Sequence, residues 1–172
     1  MFFGPSLGEA STKAIPVHLW LTDDGGTPIK GSSTVTDREN SIEVISFSHG
    51  LNLPIDRHSG QITGTRQHSS MMIEKEFDAS SPYLYQAVSK GKILQAADLH
   101  WYRINSAGRE EVFFKMSLKG IKIGAVNPSM ANIKLAGDFS LNPTESVSLM
   151  YDSITWCYVD GNIEHTDLWD DR

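Results

Sequence analysis

One cysteine in 172 residues, Cys157, excludes an internal disulfide and gives no sign of oxidative folding. It lies in the apolar run Ile154-Thr155-Trp156-Cys157-Tyr158, where a buried structural thiol is the simplest expectation. A nucleophile or an intermolecular bridge are the alternatives. Basic residues are also scarce: 15 Lys and Arg face 21 Asp and Glu, for a formal net charge of −6. Nucleic-acid partners usually require a basic face, so none is expected. If subunits assemble, their summed repulsion makes assembly sensitive to salt. No stretch approaches the roughly 18 consecutive apolar residues of a membrane span, and no membrane insertion is expected. The start, Met1-Phe2-Phe3-Gly4-Pro5, has neither a basic leader nor a continuous apolar segment. A Sec signal peptide is therefore not expected, and any export would need a dedicated machine.

Catalytic patterns are missing as well. No G-x-S-x-G, H-E-x-x-H or C-x-x-C occurs, and Lys90-Gly91-Lys92 lacks the earlier glycine of a phosphate-binding loop. Asp23-Asp24-Gly25-Gly26 lacks the ligand spacing of a calcium loop and reads as a turn. His49 follows a strand run and reads as a histidine on the core rim rather than a general base. No catalytic, cofactor or metal residue is expected. Triads assemble from distant residues, so a hydrolase stays formally open.

What is present is strand signal. Ile15, Val17, Leu19 and Leu21 alternate with Pro16, His18, Trp20 and Thr22, the period of a half-buried strand. Ile45, Phe47, Leu51 and Leu53 continue the pattern, as do Met71, Ile73 and Phe77. Ile93, Ala97, Leu99 and Trp101 precede the turn Asn105-Ser106-Ala107-Gly108, and Val112, Phe114, Met116 and Leu118 follow it. The apolar phase slips from Leu118 to Ile121, which predicts a β-bulge at Gly120. Residues 126–144 read as loop, and one long last strand is expected over 146–158. A single short helix is predicted, with Ser81 as N-cap, Pro82 in its first turn and Gly91 just past its end. Its stripe is Leu84, Ala87 and Val88.

Residues 54–66 hold one proline, two glycines and few apolar side chains, which predicts a long, extended, mobile loop. The expected organisation is a lead-in over 1–14, one β-barrel domain over 15–160 and a disordered acidic tail over 161–172. The fold class is mainly β: a small closed or strongly curved barrel with one short flanking helix and that loop.

The ordered set of segments resembles a known family. Ser46-Phe47-Ser48-His49-Gly50 precedes a glycine-containing loop with Ser59-Gly60-Gln61 and Gly64-Thr65-Arg66. Then come Ser81-Pro82-Tyr83-Leu84-Tyr85-Gln86-Ala87, Leu99-His100-Trp101-Tyr102-Arg103, Gly108-Arg109-Glu110-Glu111-Val112-Phe113-Phe114 and a final strand with Trp156. Over roughly residues 15–160 this resembles the haemolysin-coregulated proteins (Hcp), the tube proteins of bacterial type VI secretion. The resemblance implies hexameric rings that stack into an expelled tube, contact a sheath and a spike, and shelter small effector proteins in the lumen. It implies a bacterial cytoplasmic protein that is then secreted to the medium or a target cell. It also implies that the loop makes subunit contacts, with Arg57, His58, Ser59, Gly60, Gln61, Gly64 and Arg66 as the self-assembly residues. The lead-in is longer than the family usually shows, and no additional toxin domain is expected after the last strand. Strands apolar on both faces, as at Ile42-Glu43-Val44-Ile45, fit a subunit that buries surface on assembly. The competing reading is a monomeric ligand- or carbohydrate-binding β-barrel module, using Trp20 and Tyr102 as exposed aromatics.

Overall fold

The computed structural model describes residues 15–135 and 142–170. The lead-in over 1–14 lies outside them. Eleven strands and one helix follow in order: β1 Val17–Thr22, β2 Pro28–Ile29, β3 Ile42–Ser48, β4 Leu51–Asn52, β5 Gln67–His68, β6 Met71–Glu76, α1 Ser81–Lys90, β7 Ile93–Ile104, β8 Glu110–Ser129, β9 Thr144–Met150, β10 Ser153–Tyr158 and β11 Ile163–Leu168. All pairings are antiparallel. β8, β7, β1, β3, β6 and β9 pair in that order, and β9 returns to β8, which closes a six-stranded barrel. Closure removes the free edges that an open sheet would present.

The alternating residues decide what lies inside. Val17, Leu19 and Leu21 of β1 are buried, as the period-2 pattern predicts. They meet Ile42 and Val44 of β3, Met71 and Ile73 of β6, Leu94, Ala97 and Leu99 of β7, and Val147 and Leu149 of β9. On β3 the buried pair is Ile42 and Val44. On the predicted face Ile45 instead points out, because the register slips between Val44 and Ser46, while Phe47 packs against the core as expected. On β7 Leu94 takes the core position and Ile93 is exposed.

The helix is as expected in place but not in its cap. Ser80 is the N-cap, one residue earlier than predicted, and makes no side-chain cap bond. Ser81 is drawn instead to Glu145, which accepts its hydroxyl at 2.6 Å. Gly91 ends the helix at φ +62°, and the Lys92 N–H reaches the Ala87 carbonyl at 3.0 Å, a Schellman closure. Leu84 and Ala87 join the core, whereas Val88 stays exposed.

β8 is twenty residues long and serves two neighbours on one edge. Its first half pairs with β10 and its second half with β9. The long last strand predicted over 146–158 is therefore two strands, broken at Tyr151 and Asp152, where the Asp152 N–H bonds the Lys119 carbonyl at 2.9 Å. The loop predicted over 126–144 begins only after Ser129, because β8 continues to pair with β9 that far. Beyond β10 the described part of the acidic tail is not disordered. Residues 163–168 form β11, paired to β10 from Tyr158↔Ile163 to Ser153↔Leu168, so the sheet continues past residue 160. Asp171 lies outside the described residues. Cys157 is half-buried rather than buried: Ile154 of the same strand is in the core and Trp156 packs against it, whereas Cys157 takes the alternate position between Trp156 and Tyr158.

Gly120 sits where β8 exchanges β10 for β9. Its φ is +65°, yet the pairing with β7 runs through it without an inserted residue, so the predicted bulge is absent there. The register slips lie near Phe113 and Gly124 instead. A Cβ on Gly120 would stand 2.1 Å from Asp152 Oδ2 and 3.0 Å from Asp152 Cβ. Gly120→Val is expected to destabilise the subunit by about 1–3 kcal/mol, chiefly through the left-handed backbone. A urea denaturation midpoint equal to that of the natural sequence would remove this account.

Candidate self-assembly site

The segment predicted as a mobile loop is a hydrogen-bonded hairpin arm. Leu51 pairs with His68 and Asn52 with Gln67, joining β4 to β5. Farther out, the Thr63 N–H donates to the Pro54 carbonyl at 3.0 Å, Ile55 bridges Ile62, and the Asp56 N–H donates to the Gln61 carbonyl at 2.8 Å. At the tip the Asp56 carboxylate accepts the N–H groups of His58 and Ser59, at 2.7 and 3.1 Å. Those backbone donors, Ser59 first, hold its carboxyl below the usual range. Gly60 takes φ +72°, which lets the turn close.

The arm sorts the residues that the family resemblance points to. Arg57, His58, Ser59, Gly60 and Gln61 are together at the exposed tip, and Gly64 packs beside Pro54. Arg66 stands apart at the root, where its guanidinium forks onto Asp167 with two bonds of 2.9 Å. The arm is also less polar than its composition suggests. Leu51, Leu53, Ile55 and Ile62 are between 43% and 66% exposed, so the protomer leaves them uncovered. Sequence reasoning gave Leu51 and Leu53 to a core-facing strand and passed over Ile55 and Ile62. Their β-branched pairing across a Gly-containing turn was the available signal.

The root is a chain of polar contacts among residues far apart in sequence. His49 Nε2 lies 2.6 Å from the Tyr151 hydroxyl, which lies 2.7 Å from His68 Nδ1. His68 Nε2 is 2.7 Å from Asp167 Oδ2, and Arg66 completes the line while also donating to the Leu168 carbonyl at 2.8 Å. Trp156 and Trp169 both stack with the His68 ring, at interplanar angles of 13° and 23°. The Arg66 bond, followed by that of His68, holds the Asp167 carboxyl down at about 2 against burial. Burial, then the His68 charge, pushes the His49 imidazole below 6.5. Burial and the Asp167 charge push the Tyr151 phenol up. His49 is thus a rim histidine, as its sequence position implies.

On the opposite strand faces, Trp20 and Tyr102 are not free platforms. Trp20 packs on His100 at 4.6 Å, and the Arg38 guanidinium lies 3.6 Å over the Tyr102 ring while ion-pairing Glu110. His18, buried behind them, bonds Ser41 Oγ at 2.7 Å, and burial followed by the Arg38 charge pulls it to about 4. The half-buried, engaged aromatics argue against the ligand-binding reading. Among the described residues no group of His, Cys, Asp and Glu could hold a metal ion, and no helix is long and apolar enough to cross a membrane.

Comparison with known proteins gives one consistent answer. The family described as "Type VI secretion system effector, Hcp" matches residues 18–158. The "Major exported protein" of Pseudomonas aeruginosa is 31% identical over 139 residues, covering 81% of each chain. Among solved structures, a variant of the Hcp1 protein from the E. coli EAEC 042 pathovar is 49% identical, with TM-score 0.82 over 91% of this chain and 99% of its own. Secreted protein Hcp3 from Pseudomonas aeruginosa, 24% identical, shares the fold at TM-score 0.71 over 90% of this chain and 99% of its own. A closed antiparallel barrel with one helix, matched by the family across most of its length, makes this chain a member of the Hcp family of type VI secretion.

Proposed function

We propose that the chain is the ring-forming subunit of a type VI secretion tube, with the hairpin arm as a principal subunit contact. Its role is structural and not enzymatic. The observation that carries the assembly reading is the arm itself: ordered by its own hydrogen bonds, tied down at its root, and apolar where its protomer does not cover it. Exposed apolar surface on a fixed scaffold marks a contact with another protein. Family membership supports hexameric rings as the product, with stacking into a tube and small effector proteins in the lumen. The relative named for export supports release of this chain from the bacterial cell. Sheath and spike proteins are its expected outer and terminal partners.

Light scattering and negative-stain microscopy of the purified chain test this directly. Rings of several times the 19.1 kDa protomer mass are expected. A 19.1 kDa species at every concentration and salt level would overturn the reading. The arm's part is tested by replacing residues 55–62 with Asn-Gly, which keeps the Pro54 and Thr63 pair and closes it with a two-residue turn. That variant should fold and melt close to the natural chain, because shortening an outer hairpin leaves the core intact. It should form few rings or none. Normal rings from it would remove the arm from assembly.

A further inference from the structure

We infer that the root of the arm is an acid-sensitive latch, in which His49, Tyr151, His68 and Asp167 hold the arm to the C-terminal strand until both histidines are protonated. Between two imidazole nitrogens, the Tyr151 hydroxyl can donate to only one. Asp167 stays ionised across the neutral and mildly acidic range, so His68 donates to it from Nε2 and presents Nδ1 as an acceptor. Tyr151 donates to that Nδ1 and accepts from His49 Nε2–H, and every bond in the line has one proton.

A first added proton can be absorbed. His68 then donates to Tyr151 from Nδ1, and the hydroxyl turns to donate to His49. A second proton cannot. Both rings would aim N–H groups at the same oxygen, and neither could still accept the hydroxyl hydrogen. Charge works in the same direction. Two imidazolium rings on one hydroxyl repel each other, and the His68 side chain, which joins that hydroxyl to the Arg66–Asp167 pair, is fully buried. Among the described residues, the charged or titratable groups facing the site are His49 before β4, Arg66 just before β5, His68 on β5, Tyr151 after β9, and Asp167 with His165 on β11. Trp156 and Trp169 wall it without charge.

The pH window follows from the direction of the His49 shift. Its pKa is lowered in the latched form, so the released form binds protons more readily. Latching is therefore full above 6.5, the ordinary histidine value, and weakens as pH falls toward the lowered one.

Amide hydrogen exchange of the full chain from pH 8 to pH 5, corrected for intrinsic rates, tests the latch. Protection over residues 51–68 should fall by about tenfold per pH unit below 6.5, while protection at Leu99 and Leu118 holds. His49→Gln, which cannot take up the second proton, should flatten the response. Arm protection that is constant with pH, or that falls equally in the variant, would overturn the latch. NMR titration of the natural chain supplies a check free of mutation: the His49 and His68 signals should change together with arm release, and independent titrations would overturn it. Only the consequence for assembly rests on the tube-subunit reading, and light scattering over the same pH series reports it separately. Rings that come apart as the arm is released support the link; rings unchanged by its release overturn it. Absence of rings at every pH would count against the tube-subunit reading, and the exchange result would still decide the latch.

Discussion

Lys75→Met is expected to destabilise the subunit by about 3–5 kcal/mol, the cost of leaving one member of a buried ion pair alone. Lys75 and Glu145 face each other directly across β6 and β9, and both are buried. The ammonium is paired to Glu145 Oε1, lies 3.0 Å from Asp78, and donates to the Glu76 carbonyl at 3.0 Å. Ser81 Oγ donates to the same Glu145 oxygen, while Oε2 has no partner. The carboxylate is already under-satisfied, so removing the ammonium leaves both Glu145 and Asp78 without a cation. The double variant Lys75→Met with Glu145→Leu should recover part of the loss, because an apolar pair of similar volume replaces the buried Lys75–Glu145 charges, while among the described residues Asp78 keeps only Ser80 as a partner. Urea denaturation of the three proteins decides this. A loss below about 1 kcal/mol in the single variant would mean that water reaches Glu145 and the pair is not dry.

Gly31→Val should cost about 3 kcal/mol, at the upper end for overpacking, and for a different reason. A Cβ at Gly31 would lie 2.4 Å from the Ser41 carbonyl oxygen, 2.7 Å from its carbon and 2.8 Å from Ile42 Cγ1. Two of those atoms are backbone and the third belongs to a fully buried side chain, so nothing nearby can rotate away. The Gly31 N–H also donates to the Asn40 carbonyl at 2.9 Å, which fixes the approach. Relief requires the segment between β2 and β3 to lift, and with it Arg38 from the Tyr102 ring. A lower melting temperature together with increased quenching of Trp20 is expected. An unchanged melting temperature would show that this approach is not enforced.

The sequence makes some of these features visible and hides others for physical reasons. β1 is legible because three large apolar side chains alternate and all three are buried. The buried ion pair was half-visible: the face through Met71, Ile73 and Phe77 passes through Lys75, and the face through Val147 and Leu149 extends back to Glu145. Period-2 placement puts both charges inside, but only the register makes them partners. β11 had no such signal. Its Ile163-Glu164-His165-Thr166-Asp167-Leu168 is mostly exposed, and what holds it is pairing with β10 rather than burial. The latch was beyond reach for another reason: its members come from four segments, with His49 and Tyr151 102 residues apart. The arm reads as a mobile loop from composition, because its strands satisfy each other through backbone bonds, which composition does not display.

Barrel closure also sets the order in which the chain can become a subunit. Its ladders join distant residues: His18 faces His100, and Met71 faces Leu149. β1, β3 and β6 can pair with one another early, since His18 faces Glu43 and Phe47 faces Ile73. That three-stranded sheet would carry Leu19, Val44 and Ile73 on a face with nothing yet against it. At ribosomal rates of about 5–20 residues per second, the 82 residues from His18 to His100 take about 4–16 s to synthesise. Ladders of this range also fold slowly once complete, on the order of milliseconds to seconds. The nascent chain is therefore most prone to aggregate between the emergence of β6 and that of β9, the strand that joins β6 to β8 and shuts the barrel.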